Sequence, residues 1–114
     1  MIFNNQPIGI FDSGIGGLTV ASAVMRLLPE ENIVYFGDTG HMPYGDKSIE
    51  LIRKYAVRIA RFLIEDQHCK AIVIACNTAS AAAYEYLRDE LRGQIRVINV
   101  IVPMIERVVD DSSI

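Results

Sequence analysis

Short apolar runs alternate with amphipathic segments along this chain, and the alternation predicts four strands and three helices. The apolar runs are continuous and rich in β-branched residues, which is typical of strands buried on both faces of a sheet. They occupy residues 8–11, 32–36, 70–75 and 95–100. Apolar residues recur at helical spacing in the predicted helices, at about 18–28, 48–67 and 79–91. Pro29 and Gly93 are typical stop signals for the first and third helices. The repeated order of strand, loop and helix therefore predicts an α/β fold, a doubly wound parallel sheet with helices on both faces.

Ligands of such sheets bind beyond the carboxyl ends of the strands. The segments that follow the predicted strands are Asp12-Ser13-Gly14, Asp38-Thr39, Cys76-Asn77-Thr78 and Val102-Pro103. Polar and reactive side chains collect in these segments, so we expect the functional site there.

Cys76 follows the third predicted strand and precedes two good helix-capping residues, Asn77 and Thr78. The free N–H groups and the positive dipole end of a helix favour a nearby thiolate. The alternative is an inert buried thiol, as many free cysteines are. The other cysteine, Cys69, lies seven residues earlier, which is about 20 Å along an extended chain. It is therefore predicted at the opposite end of the strand, where it could neither form a disulfide with Cys76 nor share a substrate atom with it.

The loop from Asp12 to Gly17 connects a strand to a helix and is rich in glycine. It does not match the dinucleotide pattern G-x-G-x-x-G, because Thr19 stands where the third glycine would be, and no Walker lysine follows. Two interpretations stay open: the glycines let the backbone approach a small anion, or the loop is a tight turn with Asp12 as a helix cap.

The loop over residues 37–47 is long for a connection of this kind, and long loops in compact domains are often functional. Tyr44 and the Gly45 backbone are candidates for ligand contact. His41 is either a general base or an exposed histidine without a catalytic role.

Composition excludes several classes of function. The chain has 114 residues, 51% of them hydrophobic and 22% charged, which is typical of one globular domain. The net charge is −3 without a stripe of Lys or Arg, which argues against nucleic acid as a partner. We expect no membrane span and no secretory signal, and two cysteines then indicate reduced thiols in the cytoplasm. Neither a CxxC element nor a His/Cys cluster suggests a metal.

Three stretches together resemble the glutamate racemase family, within the wider aspartate/glutamate racemases. They are residues 9–20 (GIFDSGIGGLTV), Gly37-Asp38-Thr39 with Pro43-Tyr44-Gly45, and residues 75–80 (ACNTAS). The resemblance implies one lobe of a two-lobe fold. Residues 1–102 would form the amino-terminal lobe, and 103–114 would begin the connection to a second lobe.

The resemblance also implies a function, the cofactor-independent interconversion of L- and D-glutamate, which supplies D-glutamate for peptidoglycan. By motif, Cys76 would be a catalytic acid/base and Asp12 the carboxylate that assists it. Further residues would bind the substrate or shape its site: Ser13, Pro43, Tyr44, Gly45, Asn77 and Thr78. The family's second catalytic cysteine lies in a Cys-Thr-His element, which this chain lacks. We therefore expect the chain alone to be inactive, unless a homodimer presents two copies of Cys76 to each other.

Two other classes of function are considered. A cysteine hydrolase would use Cys76 as nucleophile and His41 as base, which requires the two side chains to meet. A lobe without catalysis would bind a small molecule or a protein, and its thiol would react slowly.

Overall fold

The computed structural model of the chain describes residues 5–14 and 17–99, with the backbone alone at 17–19. Strands and helices alternate along these residues, as the apolar pattern predicts. The strands are β1 (Ile8–Asp12), β2 (Ile33–Gly37), β3 (Ala71–Ile74) and β4 (Arg96–Asn99). The α-helices are α1 (Gly17–Leu27), α2 (Ile49–Glu65) and α3 (Asn77–Glu90). Two short 3-10 helices, Thr39–His41 and Tyr44–Asp46, lie in the long loop after β2.

The strands form one parallel sheet in the order β2-β1-β3-β4. Asp12 of β1 is opposite Gly37 of β2, and Phe11 is opposite Ile74 of β3. The chain passes from β1 to β2 on one side and then crosses to β3 on the other side. The direction of winding therefore reverses between β1 and β3. In open α/β sheets the crevice at this reversal is where ligands bind.

Helices cover both faces of the sheet, as predicted. On one face, α2 and α3 pack together over the main apolar core, which includes Phe11 and Ile74. On the other face, Ala21 of α1 packs with Ile10 and Val73. Successive strand residues point to opposite faces, so both faces of β1 and β3 are apolar and the predicted runs are continuous.

The start of α3 differs from the prediction. The predicted helix begins at about residue 79 after a cap at Asn77 or Thr78, but the observed helix begins at Asn77 and Cys76 is its N-cap. The Cys76 sulfur accepts the Ala79 N–H at 3.5 Å, a role usually filled by the side-chain oxygen of Ser, Thr, Asp or Asn. That preference made the two polar residues look like the better caps.

The other boundaries agree with the sequence pattern to within two residues. Ser48 caps α2 and accepts the Leu51 N–H at 3.2 Å. Gly93 follows α3 with a φ of 83°, which suits a glycine after a helix. The boundary expected at 102/103 and the connection expected over residues 103–114 lie outside the described residues.

Candidate active site

The Cys76 thiol lies at the reversal point of the sheet, where β3 ends and α3 begins. Its sulfur is 3.4 Å from the Ser13 Oγ, to which it donates, and 3.5 Å from the Ala79 nitrogen. The sulfur thus contacts the loop after β1 and the first turn of α3 at once. Cys76 is 9% exposed. Two predicted site residues, Cys76 and Ser13, are therefore in direct contact.

Asp12, the last residue of β1, is completely buried. Its Oδ1 accepts the Gly14 N–H at 2.7 Å and the Tyr35 hydroxyl at 2.9 Å. Its Oδ2 has no hydrogen-bond partner among the described residues. In the described part of this loop, the hydrogen bonds of Asp12 go to Gly14 and to Tyr35 of β2, and none goes to the described backbone of α1. An oxygen that is buried and unpaired is costly, which favours a role in binding a donor.

The loops after β1 and β2 pack closely at Gly14. This glycine has a φ of 105°, a conformation that other residues adopt at a cost. A Cβ at Gly14 would be 2.8 Å from the Thr39 Cγ2 and 2.9 Å from the Met42 Sδ. A glycine is thus required here for two reasons, its backbone conformation and the close neighbouring loop.

Tyr44 is buried, at 2% exposure, and its hydroxyl donates to the Asp38 Oδ2 at 2.6 Å. Burial raises the pKa of Tyr44, and the hydrogen bond and charge of Asp38 and the charge of Cys76 raise it further. Tyr44 packs in the same core cluster as Phe11 and Cys76. The Tyr44 hydroxyl therefore donates its proton to Asp38 and not to a ligand. The backbone of this segment remains available to contact a ligand.

The other predicted binding residues lie at the surface around Cys76 and Tyr44. Pro43, Gly45, Asn77 and Thr78 are all exposed. A Cβ at Gly45 would meet no atom within 4 Å. Asn77 and Thr78 are the first two residues of α3, whose N–H groups have no acceptor within the helix. These residues are accessible to a ligand.

His41 does not meet Cys76 in this structure. Its Nδ1 is 2.9 Å from the Asp38 carboxylate, and its ring stacks on Tyr55 with the centroids 3.9 Å apart. Within residues 5–14 and 17–99, no hydrogen bond joins His41 to Cys76. The thiol–imidazole pair that a cysteine hydrolase would need is not formed.

Cys69 lies at the start of β3, away from Cys76. It is buried, and both cysteines are free thiols. A Cβ on Gly9 would be 3.0 Å from the Cys69 sulfur, so the thiol packs directly against β1. Burial raises the pKa of the Cys69 thiol. These features are typical of a core cysteine.

Two residues with a clear place in this site, Tyr35 and Asp38, were not among the predicted catalytic or substrate-binding residues, although Asp38 lies in one of the segments where the site was expected. Tyr35 binds Asp12, whereas Asp38 holds both Tyr44 and His41. Asp38 had a signal, since it directly follows β2. Tyr35 had no such signal in the sequence, because tyrosine is common in strands. Its hydrogen-bond partner depends on the register of β1 and β2.

A groove of about 240 Å³ opens beside the 3-10 helix at His41. It is lined by Phe36, Asp38, His41, Tyr55, Arg58, Ile59 and Phe62. Cys76 is not among these residues. Across the described residues there is no cluster of three metal-ligating side chains and no helix long and apolar enough to cross a membrane.

Comparison with known proteins gives consistent matches. The glutamate racemase of Corynebacterium diphtheriae is 50% identical over 106 residues, which are 93% of this chain and 39% of that protein. The glutamate racemase of Francisella tularensis, solved in complex with D-glutamate, superposes with a TM-score of 0.82 at 52% identity, over 91% of this chain and 39% of that one. The Escherichia coli glutamate racemase, solved with L-glutamate and the activator UDP-MurNAc-Ala, gives 0.75 at 34% identity, over 86% of this chain and 38% of that one. No protein-family profile matches the chain.

The chain has the α/β fold of these proteins, which belong to the class of amino-acid racemases, and its sequence is similar to theirs. Within that class it is a relative of the glutamate racemases and corresponds to their amino-terminal portion. The chain spans about two fifths of the length of the relatives it matches, 39% in the Corynebacterium diphtheriae protein. The resemblance stated from the three sequence stretches is thereby confirmed.

Proposed function

We propose that this chain provides one half of the active site of a glutamate racemase, with Cys76 as one of the two proton-transfer groups. The observation that carries the proposal is the position of the Cys76 thiol, which caps α3 at the reversal point of the sheet and contacts Ser13 beside the buried Asp12. Relatives solved with D-glutamate and with L-glutamate support the choice of substrate.

Racemisation at Cα needs a base on one face of the substrate and an acid on the other. The Cys76 thiolate would take the Cα proton of one enantiomer and become a thiol, and the electron pair would pass into the substrate's adjoining carboxylate. An acid on the opposite face would then deliver a proton to Cα. In the reverse direction the Cys76 thiol would give its proton back. The cycle balances without oxidation or reduction, so it calls for no redox cofactor.

The exposed groups around Cys76 fit a substrate with two carboxylates and an ammonium group. The free N–H groups of Asn77 and Thr78 at the start of α3 would receive a carboxylate, helped by the helix dipole. The backbone at Gly45 would receive the other, in a segment that Pro43 and the buried Tyr44 shape. The unpaired Oδ2 of Asp12 would accept from the ammonium group or assist Cys76, and Ser13 would hold the sulfur.

The second proton-transfer group would come from residues outside this chain. Cys69 is buried at the other end of β3 and packs against Gly9, so it is unsuited to the role. The relatives have considerable additional length in which such a group can lie. A homodimer that brings two Cys76 thiols together is the alternative source. The protein would act in the cytoplasm and supply D-glutamate for peptidoglycan and cell shape.

Chiral analysis of the 114-residue chain after incubation with L-glutamate tests the half-site arrangement. We expect no D-glutamate above the background of a Cys76→Ala control. Robust formation of D-glutamate would contradict the half-site and would favour the homodimer, which sedimentation of the same sample would then detect.

Thiol labelling tests the role of Cys76 separately from turnover. We expect iodoacetamide at pH 7 to modify Cys76 faster than a free thiol, and D- or L-glutamate to slow the reaction. Peptide mapping distinguishes Cys76 from Cys69, which serves as the internal reference. Slow labelling that glutamate does not affect would instead favour a lobe with only a binding or structural role.

A further inference from the structure

Tyr35 hydrogen-bonds to Asp12, although it lies in none of the sequence motifs and a tyrosine in a strand does not by itself indicate a functional residue. Its hydroxyl donates to the Asp12 Oδ1 at 2.9 Å, from the neighbouring strand β2. The Gly14 N–H donates to the same oxygen at 2.7 Å. Two donors from different parts of the chain thus converge on one carboxylate oxygen.

This arrangement fixes the rotation of the Asp12 carboxylate. A carboxylate held at one oxygen from two directions keeps its other oxygen in one place. The Asp12 side chain is completely buried, and its Oδ2 has no partner in the described part of the chain. The oxygen that remains for a ligand is therefore Oδ2.

Gly37 provides the space for the Tyr35 hydroxyl. It pairs with Asp12 in the register of β1 and β2. A Cβ at Gly37 would be 3.0 Å from the Tyr35 hydroxyl oxygen and 3.3 Å from two ring carbons. The backbone of Gly37 has no positive φ that would itself require glycine. The absence of a side chain at this position therefore serves the Tyr35–Asp12 contact.

The Tyr35 hydroxyl keeps its proton well above neutral pH. Burial, the hydrogen bond to Asp12 and the charge of Asp12 raise the pKa of Tyr35 to about 12. The hydroxyl thus remains a donor at neutral pH, where Asp12 accepts from it.

We propose that Tyr35 is a positioning residue for Asp12. Its hydroxyl, in the space left by Gly37, holds the carboxylate of Asp12 so that the Oδ2 faces the ammonium group of glutamate. This inference rests on the proposed racemase function. Tyr35 itself touches no reacting atom and acts through Asp12.

The test compares Tyr35→Phe with Tyr86→Phe in the 114-residue chain. Tyr86 is exposed on α3, beneath the Arg53 guanidinium, and serves as the matched control. The readout is the concentration of glutamate that halves the rate of Cys76 labelling. We expect Tyr35→Phe to raise it about tenfold, since a hydrogen bond to a charged group is lost, and Tyr86→Phe to leave it at the wild-type value. The carboxyl carbon of Asp12 should shift in the NMR spectrum of Tyr35→Phe and not in that of Tyr86→Phe.

Gly37→Ala provides a second variant that acts on the same contact. Its methyl group would displace the Tyr35 hydroxyl, so it should also raise the half-protecting concentration of glutamate. In the double variant Tyr35→Phe/Gly37→Ala the hydroxyl is already absent. We therefore expect the double variant to lose much less glutamate binding free energy than the sum of the losses in the two single variants. A purely structural role would instead lower the urea midpoint and leave glutamate protection unchanged.

The outcomes separate the inference from the function on which it rests. If glutamate protects the wild-type chain and Tyr35→Phe equally, the positioning role is overturned and the racemase function stands. If glutamate does not protect the wild-type chain at all, the proposed function fails first and the role of Tyr35 in presenting Asp12 to glutamate fails with it.

Discussion

The sulfur of Cys76 and the Oγ of Ser13 lie 3.4 Å apart although 63 residues separate them in sequence. The contact joins the carboxyl ends of β1 and β3, which are neighbours in the sheet. It therefore depends on the pairing of β1 with β3, and it connects the proposed proton-transfer group to the loop that follows Asp12.

Replacing Ser13 by alanine should slow the labelling of Cys76. A hydroxyl next to a thiolate can turn to donate to it, and hydrogen bonds to a charged group are stronger than those to the neutral form. We expect the iodoacetamide rate at pH 7 to fall by roughly threefold to tenfold, which corresponds to about 0.7–1.4 kcal/mol. Ser22→Ala, an exposed change on α1, is the control and should keep the wild-type rate. Equal rates for both variants would show that the contact does not influence the thiol.

Gly14→Ala should destabilise the chain more than Gly93→Ala. Both glycines have positive φ values, 105° and 83°, so both substitutions carry backbone strain of about 1 kcal/mol. Only at Gly14 would the new Cβ also meet Thr39 and Met42, at 2.8 and 2.9 Å. At Gly93 it would meet nothing within 4 Å. We expect urea unfolding to show an additional loss of about 1–3 kcal/mol for Gly14→Ala, the usual cost of overpacking.

The parallel sheet could be predicted from the sequence because it depends on local pattern, and the same pattern placed Cys76 and Ser13 at the carboxyl ends of neighbouring strands, where the structure has them in contact. Continuous apolar runs indicated strands buried on both faces, and polar residues after them indicated the binding edge. The N-cap of α3 did not follow, because cysteine is rarely a cap and Asn77 and Thr78 were the better candidates on propensity. The hydrogen bond between Tyr35 and Asp12 could not be predicted from the sequence either, since it depends on which strand pairs with β1 and in which register.

Alkaline pH should destabilise the chain through two hydroxyl contacts, that of the partly buried Tyr35 with Asp12 and that of the buried Tyr44 with Asp38. Tyrosine in an unfolded chain titrates near 10, whereas burial and then Asp12 raise the pKa of Tyr35 to about 12. Burial and Asp38 likewise raise the pKa of Tyr44. Between pH 10 and 12 the folded chain therefore holds protons that the unfolded chain has released. The stabilisation is fully present below pH 10 and is lost as the pH rises toward 12.

Urea unfolding at pH 9, 10 and 11 measures this effect. We expect the free energy of unfolding to fall with pH, and to fall less steeply in Tyr35→Phe, which has no proton to lose at that position. The difference between variant and wild type cancels the contributions of other titrating groups. Parallel curves for the two proteins would contradict a raised pKa at Tyr35.

Gly45→Ala should weaken glutamate binding without weakening the fold. A Cβ at Gly45 or at Gly40 would meet no atom within 4 Å, and neither residue has a positive φ. Both substitutions should therefore be neutral or should stabilise the chain by about 0.4–1 kcal/mol, through the lower entropy of the unfolded state. Among the residues that the structure describes, neither a close neighbour nor a positive φ requires glycine at either position. If the Gly45 backbone meets a carboxylate of glutamate, however, a methyl group there would stand in the ligand's path. We then expect the glutamate concentration that halves Cys76 labelling to rise several-fold in Gly45→Ala and to stay at the wild-type value in Gly40→Ala. Equal protection in both variants would remove Gly45 from the substrate-binding residues, while leaving Asn77 and Thr78 as carboxylate-binding candidates at the start of α3.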